Sequence, residues 1–170
     1  FSFIETHGGS SNAYTAPDHT NYFFDIQPEF FGEGLDRFGQ FFIAPLMDPS
    51  YVEREKNAVH SEYQMQYKAD GWRGFTVQKQ AMNPDHPFSQ FSIGSLETLD
   101  GDVYSDLMTF FEEHYSADQM SAVVLHKEPL ETLVPWVKAL FSDVAGNDRG
   151  PIAIEADLIK PDSLPMTLRY

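Results

Sequence analysis

The 170-residue sequence contains no cysteine, which excludes disulfide bonds, thiolate metal ligands and cysteine nucleophiles together. Basic residues are also few, since 11 Lys and Arg stand against 26 Asp and Glu, giving a formal net charge of −15. Nucleic acids and anionic membrane surfaces repel such a chain, and no basic patch compensates, so we expect neither as a partner. No apolar run approaches the roughly 18 residues that a membrane span requires. Any metal must therefore be held by His, Asp or Glu.

What is present indicates a folded chain with a hydrophobic core. Hydrophobic residues make up 42% and aromatic residues 15% of the sequence, which is long enough for one domain. Two extended runs, Ser11 to Thr15 and Thr20 to Ile26, flank a turn and predict a β-hairpin. A helical stripe follows Pro28, formed by aromatic and aliphatic residues at steps of four and three: Phe31, Leu35, Phe38 and Phe42.

The rest of the chain mixes helical and extended patterns. A helix is predicted from a cap at Asp48 or Ser50, with a capping box from Ser50 to Glu53, toward Ala69. Further helices are predicted over 70–82, 102–114 and 130–144, and strands over 121–126, 151–157 and 164–170. This mixture predicts an α+β fold, with helices packed on one face of a mainly antiparallel sheet.

Residues 53–62, "EREKNAVHSE", concentrate carboxylates on one predicted helix. Seven positions advance a helix by nearly two turns, so Glu55 and Glu62 project from the same face. His60 does not share that face. Spacing alone leaves two interpretations open, a solvated acidic face or a pair of functional carboxylates.

The histidines do not form a recognisable zinc motif. A helical zinc pair usually needs His at i and i+4, and none of the six histidines has this partner. In "FFEEH", residues 110–114, Phe110 occupies the first ligand position of a His-x-x-Glu-His motif and cannot bind metal. His86 and His126 are more simply structural residues. Glu62 alone could serve as a carboxylate ligand whose partners lie elsewhere.

Four stretches of the sequence resemble the insulin-degrading enzyme and pitrilysin family of zinc metallopeptidases, in the family's order and spacing. They are "HGGSSNAYTAPDHTNYFFDI", "LDRFGQFFIAPLMD", "EREKNAVHSE" and "NPDHPFSQFSIGSLETL". The resemblance implies a zinc metalloendopeptidase of the LuxS/MPP-like fold with one zinc ion. In the family, His-x-x-Glu-His supplies two zinc ligands and the general base. Glu62 matches the glutamate that completes the zinc site, and Glu55 matches the upstream catalytic glutamate that supports it.

The resemblance also implies how a peptide substrate is held. Asn12, Ala13 and Tyr14 match the family segment whose exposed strand edge pairs with the substrate backbone. Without the resemblance, we would expect this strand to pair only within its own sheet. Trp72 and Phe75, three apart on a predicted helix, would be core or interface residues, or the wall of a substrate pocket beside Glu62.

The family's His-x-x-Glu-His helix would lie before Phe1, so residues 1–170 are interpreted as the later part of the N-terminal catalytic domain. The expected partners are peptide substrates and the remainder of the same polypeptide, and the isolated chain is expected to be inactive. The alternative is a non-catalytic structural or peptide-binding relative. A periplasmic location is expected if the source is bacterial, with the cytoplasm as the alternative.

Overall fold

A β-hairpin follows a short N-terminal helix, α1 (Ser2–Thr6). The structure, a computed structural model, describes residues 2–90, 92–150 and 152–167. Strands β1 (Ser10–Thr15) and β2 (Thr20–Asp25) pair antiparallel, and the Ala16 N–H closes the turn on the His19 carbonyl at 2.8 Å. At Gly9, a Cβ would lie 1.9 Å from the carbonyl oxygen of Asp25, so the close approach to β2 requires glycine. The predicted hairpin is confirmed to within one residue at its ends.

A hydrophobic core lies between α2 (Phe31–Ile43) and α6 (Leu130–Phe141). The predicted stripe on α2 is confirmed, with its first two members, Phe31 and Leu35, buried beside Leu133. Gly39 lets the two helices approach, since a Cβ there would lie 2.6 Å from Leu140 Cδ2. Partly buried hydrophobic residues complete the cluster: Phe24, Ile26, Val124, Val137, Leu140 and Phe141.

The chain divides into two compact units. Unit 1 comprises residues 1–46 and 108–151, and unit 2 comprises residues 47–107 and 152–170. Unit 2 contains α3 (Pro49–Gln66) and α4 (Asp70–Gln80), while α5 (Val103–His114) crosses the boundary along the chain. In the described part of unit 2, the side chains classed as buried are polar: Lys79, Asn83 and Ser95. Unit 2 therefore depends on hydrogen bonds as well as on partly buried aromatic rings.

The strands predicted after residue 120 are wrong as far as the structure describes them. Residues 121–126 form an extended segment without strand pairing, and Val123 and Leu125 are 96% and 93% exposed rather than buried. Residues 152–157 and 164–167 are likewise not strands, while Pro151 and residues 168–170 lie outside the described residues. A strand needs a neighbour to pair its N–H and C=O groups, and no described segment supplies one.

The predicted helices are confirmed with shorter ends. The segment over 70–82 restarts as a separate helix at Asp70, and the final helix ends at Phe141 rather than Val144. The hairpin and these helices confirm the α+β class, with a two-stranded antiparallel sheet in the described chain. Within the described residues, each helix is too short or too polar to cross a membrane.

Candidate functional site

Asp48 sets the start of the helix that carries the candidate carboxylates. Its Oδ1 accepts hydrogen bonds from the Ser50 N–H at 2.8 Å and the Ser50 hydroxyl at 2.7 Å, and Pro49 occupies the first turn. These bonds hold the pKa of the Asp48 carboxyl below its usual value. The predicted capping box from Ser50 to Glu53 is wrong, because Asp48 is the N-cap and Glu53 pairs with Lys56 at 3.2 Å.

Glu55 and Glu62 both lie on α3, and both are exposed. Their seven-residue separation places them on one face, with about 10 Å between their Cα positions along the helix axis. Neither carboxylate has a hydrogen-bond or ion-pair partner among residues 2–90, 92–150 and 152–167. At that separation, a group that one carboxylate binds directly lies near the other carboxylate but outside direct contact with it.

The basic residues beside these carboxylates are engaged elsewhere. Lys56 pairs with Glu53, and the Arg54 guanidinium lies 5.2 Å from the ring centre of Tyr51. Each carboxylate therefore keeps its acceptor oxygens for a group outside the helix. A cation or a hydrogen-bond donor is the chemical partner that such oxygens accept.

His60 faces a different part of unit 2, as the sequence predicts. Its Nδ1 accepts a hydrogen bond from the Leu96 N–H at 3.2 Å, and its Nε2 lies 3.0 Å from the Gln64 side-chain amide. Both ring nitrogens are thus occupied. His60 anchors the loop around Leu96 to α3 and is not a free metal ligand.

The described residues do not form a complete zinc site. No three His, Asp or Glu side chains within them stand together as a metal site. Glu62 fits as a single donor, because it is an exposed carboxylate without a partner in the same described ranges. A catalytic zinc usually takes three protein ligands, and the described residues do not bring three together.

β1 offers one open edge within the described chain. Hydrogen-bonded and non-hydrogen-bonded residue pairs alternate along an antiparallel hairpin, and Ala16 and His19 form a hydrogen-bonded pair. Counting back along β1, Ala13 belongs to a pair that is not hydrogen-bonded, so its N–H points away from β2. The Asn12 side-chain oxygen accepts this N–H at 2.8 Å. Tyr14 is 52% exposed and meets His19 edge to face at 5.7 Å. On the open edge of β1, the Ala13 N–H is therefore already hydrogen-bonded to the side chain of Asn12.

Trp72 and Phe75 lie next to each other on α4. Their rings meet edge to face with centres 6.0 Å apart, and Phe75 meets Phe88 in the same way at 6.2 Å. Sequence reasoning missed Lys79, whose buried ammonium lies against both phenylalanine rings. Lys79 lies four positions after Phe75 and so shares its helix face, which is the sequence signal for this contact. Lysine is rarely buried, however, so the sequence alone predicts an exposed side chain.

A cavity of about 650 Å³ lies in unit 1, and none of the predicted site residues lines it. Phe31, His126 and Trp136 are among the residues that line it. His126 stacks on Phe31 at 4.3 Å, and its Nδ1 accepts the Glu128 N–H at 3.2 Å. These contacts agree with a structural role for His126, but among the described residues its buried Nε2 has no hydrogen-bond partner.

Two family profiles match the chain. The profile described as "Insulinase (Peptidase family M16)" matches residues 1–85, and "Peptidase M16 inactive domain" matches residues 102–168. A crystal structure of pitrilysin superposes with a TM-score of 0.87 at 35% identity, over 94% of this chain and 17% of that one.

Curated relatives agree with the profiles. Insulin-degrading enzyme of Homo sapiens is 44% identical over 149 residues, which are 84% of this chain and 15% of that protein. A-factor-processing enzyme of Saccharomyces cerevisiae is 38% identical over 170 residues, 96% of this chain and 17% of that protein. The chain thus spans only 15–17% of the length of these two relatives. The chain belongs to the insulinase (peptidase M16) family.

Proposed function

We propose that this chain is the later part of the N-terminal catalytic domain of a longer zinc-dependent endopeptidase. In this proposal Glu62 is the third zinc ligand, Glu55 supports the site, and β1 binds the peptide backbone. Zinc in such a site would polarise the scissile carbonyl and activate water. The observation that carries the proposal is a pair of exposed carboxylates on one face of α3, inside the stretch that matches the insulinase profile, neither of which has a partner among the described residues.

The geometry supports different roles for the two glutamates. With about 10 Å between them along the axis, one carboxylate can bind an ion while the other acts on the groups around it. Relatives named "Insulin-degrading enzyme" and "Putative zinc protease mug138" support peptide hydrolysis and zinc. A periplasmic location in a bacterial source remains part of the proposal.

The edge of β1 supports the proposed mode of peptide binding. The outward N–H of Ala13 is a main-chain donor, and the Asn12 amide oxygen already occupies the position that a substrate carbonyl would take. Main-chain pairing does not depend on the identity of the substrate's side chains, which suits an enzyme that cleaves varied peptides.

The test uses the full-length polypeptide with Glu62→Gln, Glu55→Gln and the control Glu53→Gln. Glu62→Gln should lose both zinc and activity, because an amide binds the ion poorly. Glu55→Gln should keep most of its zinc and turn over roughly 10 to 100 times more slowly. Glu53→Gln should behave as wild type, since Glu53 already pairs with Lys56 on the same helix. Full zinc occupancy in Glu62→Gln, measured by metal analysis, would show that the ligand assignment is wrong.

A second candidate is a non-catalytic, peptide-binding relative. The description "inactive domain" attached to the match over residues 102–168 favours it. The wild-type and Glu62→Gln proteins distinguish the two candidates. An endopeptidase cleaves a fluorogenic peptide, and a chelator stops this cleavage. A binding subunit holds the peptide without cleaving it, and Glu62→Gln leaves that binding unchanged.

A further inference from the structure

Lys79 is a buried cation on α4 in unit 2. Its side chain is only 5% exposed, and its Nζ donates a hydrogen bond of 2.5 Å to the carbonyl oxygen of Gln90. Among the described residues no carboxylate pairs with it. Burial lowers the pKa of its ammonium group below the usual value. The charge is thus held by a carbonyl oxygen and by aromatic rings instead of an acid.

Two phenylalanine rings share this ammonium. Nζ lies 4.8 Å from the ring centre of Phe75 and 4.9 Å from that of Phe88. These distances are within the range of cation–π attraction, which favours the face of each ring. The two rings meet each other at 73°, and Phe75 meets Trp72 at 83°. Phe75 therefore contacts both Trp72 and Phe88, and the ammonium lies near Phe75 and Phe88.

The same ammonium fastens the loop that carries Phe88. At the start of the loop, the N–H of Asn83 bonds to the Leu158 carbonyl at 2.9 Å and its side-chain amide to the Asp157 carbonyl at 2.9 Å. At the other end, the tie to α4 is the bond from Lys79 to Gln90. Removing the ammonium would remove the bond to Gln90 and its contacts with Phe75 and Phe88 together, and leave the contacts of Asn83 intact.

Filling space does not account for a lysine at this position. Burying a charge without a carboxylate is costly, and an unbranched Met would occupy a similar volume without that cost. Unlike a methionine side chain, the ammonium makes directed contacts, since it binds one carbonyl oxygen and lies over the faces of two rings. Such fixing is useful where an aromatic surface must keep one shape.

We propose that Lys79 is a positioning residue for peptide binding, whose ammonium fixes Phe75 and Phe88 so that Phe75 and Trp72 present a constant aromatic wall to an apolar side chain of the substrate. This inference rests on the proposed function. It assigns to Lys79 an effect on substrate affinity and none on zinc or on the chemical step.

The kinetic test compares Lys79→Met, Lys79→Arg and the exposed control Lys68→Met in the full-length enzyme. For a peptide with an apolar side chain next to the cleavage site, Lys79→Met should raise KM roughly threefold to tenfold, the scale of one aromatic contact. Both kcat and zinc content should stay at the wild-type level. Lys79→Arg should restore much of the affinity, because it keeps the charge and the donors. Lys68→Met should match wild type.

A second variant keeps the test decisive if Lys79→Met does not fold. Phe88→Leu removes one ring without touching the charge and should raise KM in the same way. A wild-type KM in Lys79→Met, or a fall in kcat and zinc content with it, would overturn the inference. Failure of the wild-type enzyme to cleave peptides would instead overturn the proposed function.

Discussion

Glu53, Glu55 and Glu62 carry the same carboxylate on the same helix, yet their surroundings separate them. Glu53 pairs with Lys56, whereas the other two have no partner in the part of the chain that the structure describes. A surface ion pair contributes little to stability, so the difference matters for chemistry rather than for folding. The two unpaired carboxylates are the ones that remain able to bind a group from outside α3.

The cap of α3 makes a pH-dependent prediction at the level of one residue. The pKa of Asp48 is lowered in the folded chain by the Ser50 hydrogen bonds, so its stabilising effect is present above the unfolded pKa. That effect is lost as the pH falls through the lower, folded pKa. Asp48→Asn keeps an acceptor for the Ser50 N–H but cannot titrate. The stability of wild type relative to Asp48→Asn should therefore fall as the pH drops below the ordinary carboxyl range and through the lower, folded pKa of Asp48.

Urea unfolding at several pH values, followed by circular dichroism, measures this difference. Asp100→Asn is the control, because Asp100 is an exposed carboxyl of unit 2 that caps no helix. A wild-type chain and an Asp48→Asn chain that lose stability in parallel would contradict the role of Asp48 as an ionised cap.

At the scale of the elements, the two edges of β1 differ. One edge pairs with β2 over the full strand, and the other faces no strand within residues 2–90, 92–150 and 152–167. Open strand edges invite pairing with another chain, and proteins commonly cover or block them. Here Asn12 covers the Ala13 N–H with its own side chain, which satisfies the donor without closing the edge.

Ala13→Pro tests the role of that edge in the full-length enzyme. Proline removes the outward N–H, which the ladder with β2 does not use, so the hairpin should persist. Peptide binding should weaken because one main-chain donor is lost, whereas the zinc content should not change. Ala13→Val keeps the N–H and serves as the control. A folded Ala13→Pro protein with wild-type peptide affinity and turnover would rule out the edge-strand role.

At the scale of the whole molecule, the candidate site residues are divided between two units. The edge-strand residues Asn12, Ala13 and Tyr14 belong to unit 1, and Glu55, Glu62, Trp72, Phe75 and Lys79 belong to unit 2. The described residues provide one candidate zinc donor without the others that a site needs. The chain spans 15–17% of the length of two of its relatives, and we propose the activity for a polypeptide of that longer kind.

We therefore expect the 170-residue chain alone neither to bind zinc tightly nor to cleave peptides. One carboxylate cannot replace three protein ligands, although an acidic surface of net charge −15 will attract zinc weakly. Calorimetric titration with zinc and a fluorogenic peptide assay measure both properties. A tight, stoichiometric zinc site that disappears in Glu62→Gln would contradict this expectation, as would peptide cleavage that a chelator abolishes.

Local patterns in the sequence determined the hairpin, the buried stripe of α2 and the shared face of Glu55 and Glu62. Each depends on turn chemistry or on helical periodicity between residues close in sequence. The four family-like stretches added the zinc-site and substrate assignments, which spacing alone left open.

Only the tertiary structure decided which side chains are engaged. Lys79 is buried because Phe88 and Gln90 fold back on α4, and no periodic pattern reports a contact of that kind. Residues 121–126 have the composition of a buried strand, but strand formation needs a pairing partner, and the described chain brings none beside them. Burial and strand pairing depend on residues distant in sequence, which is why they could not be predicted from the local pattern.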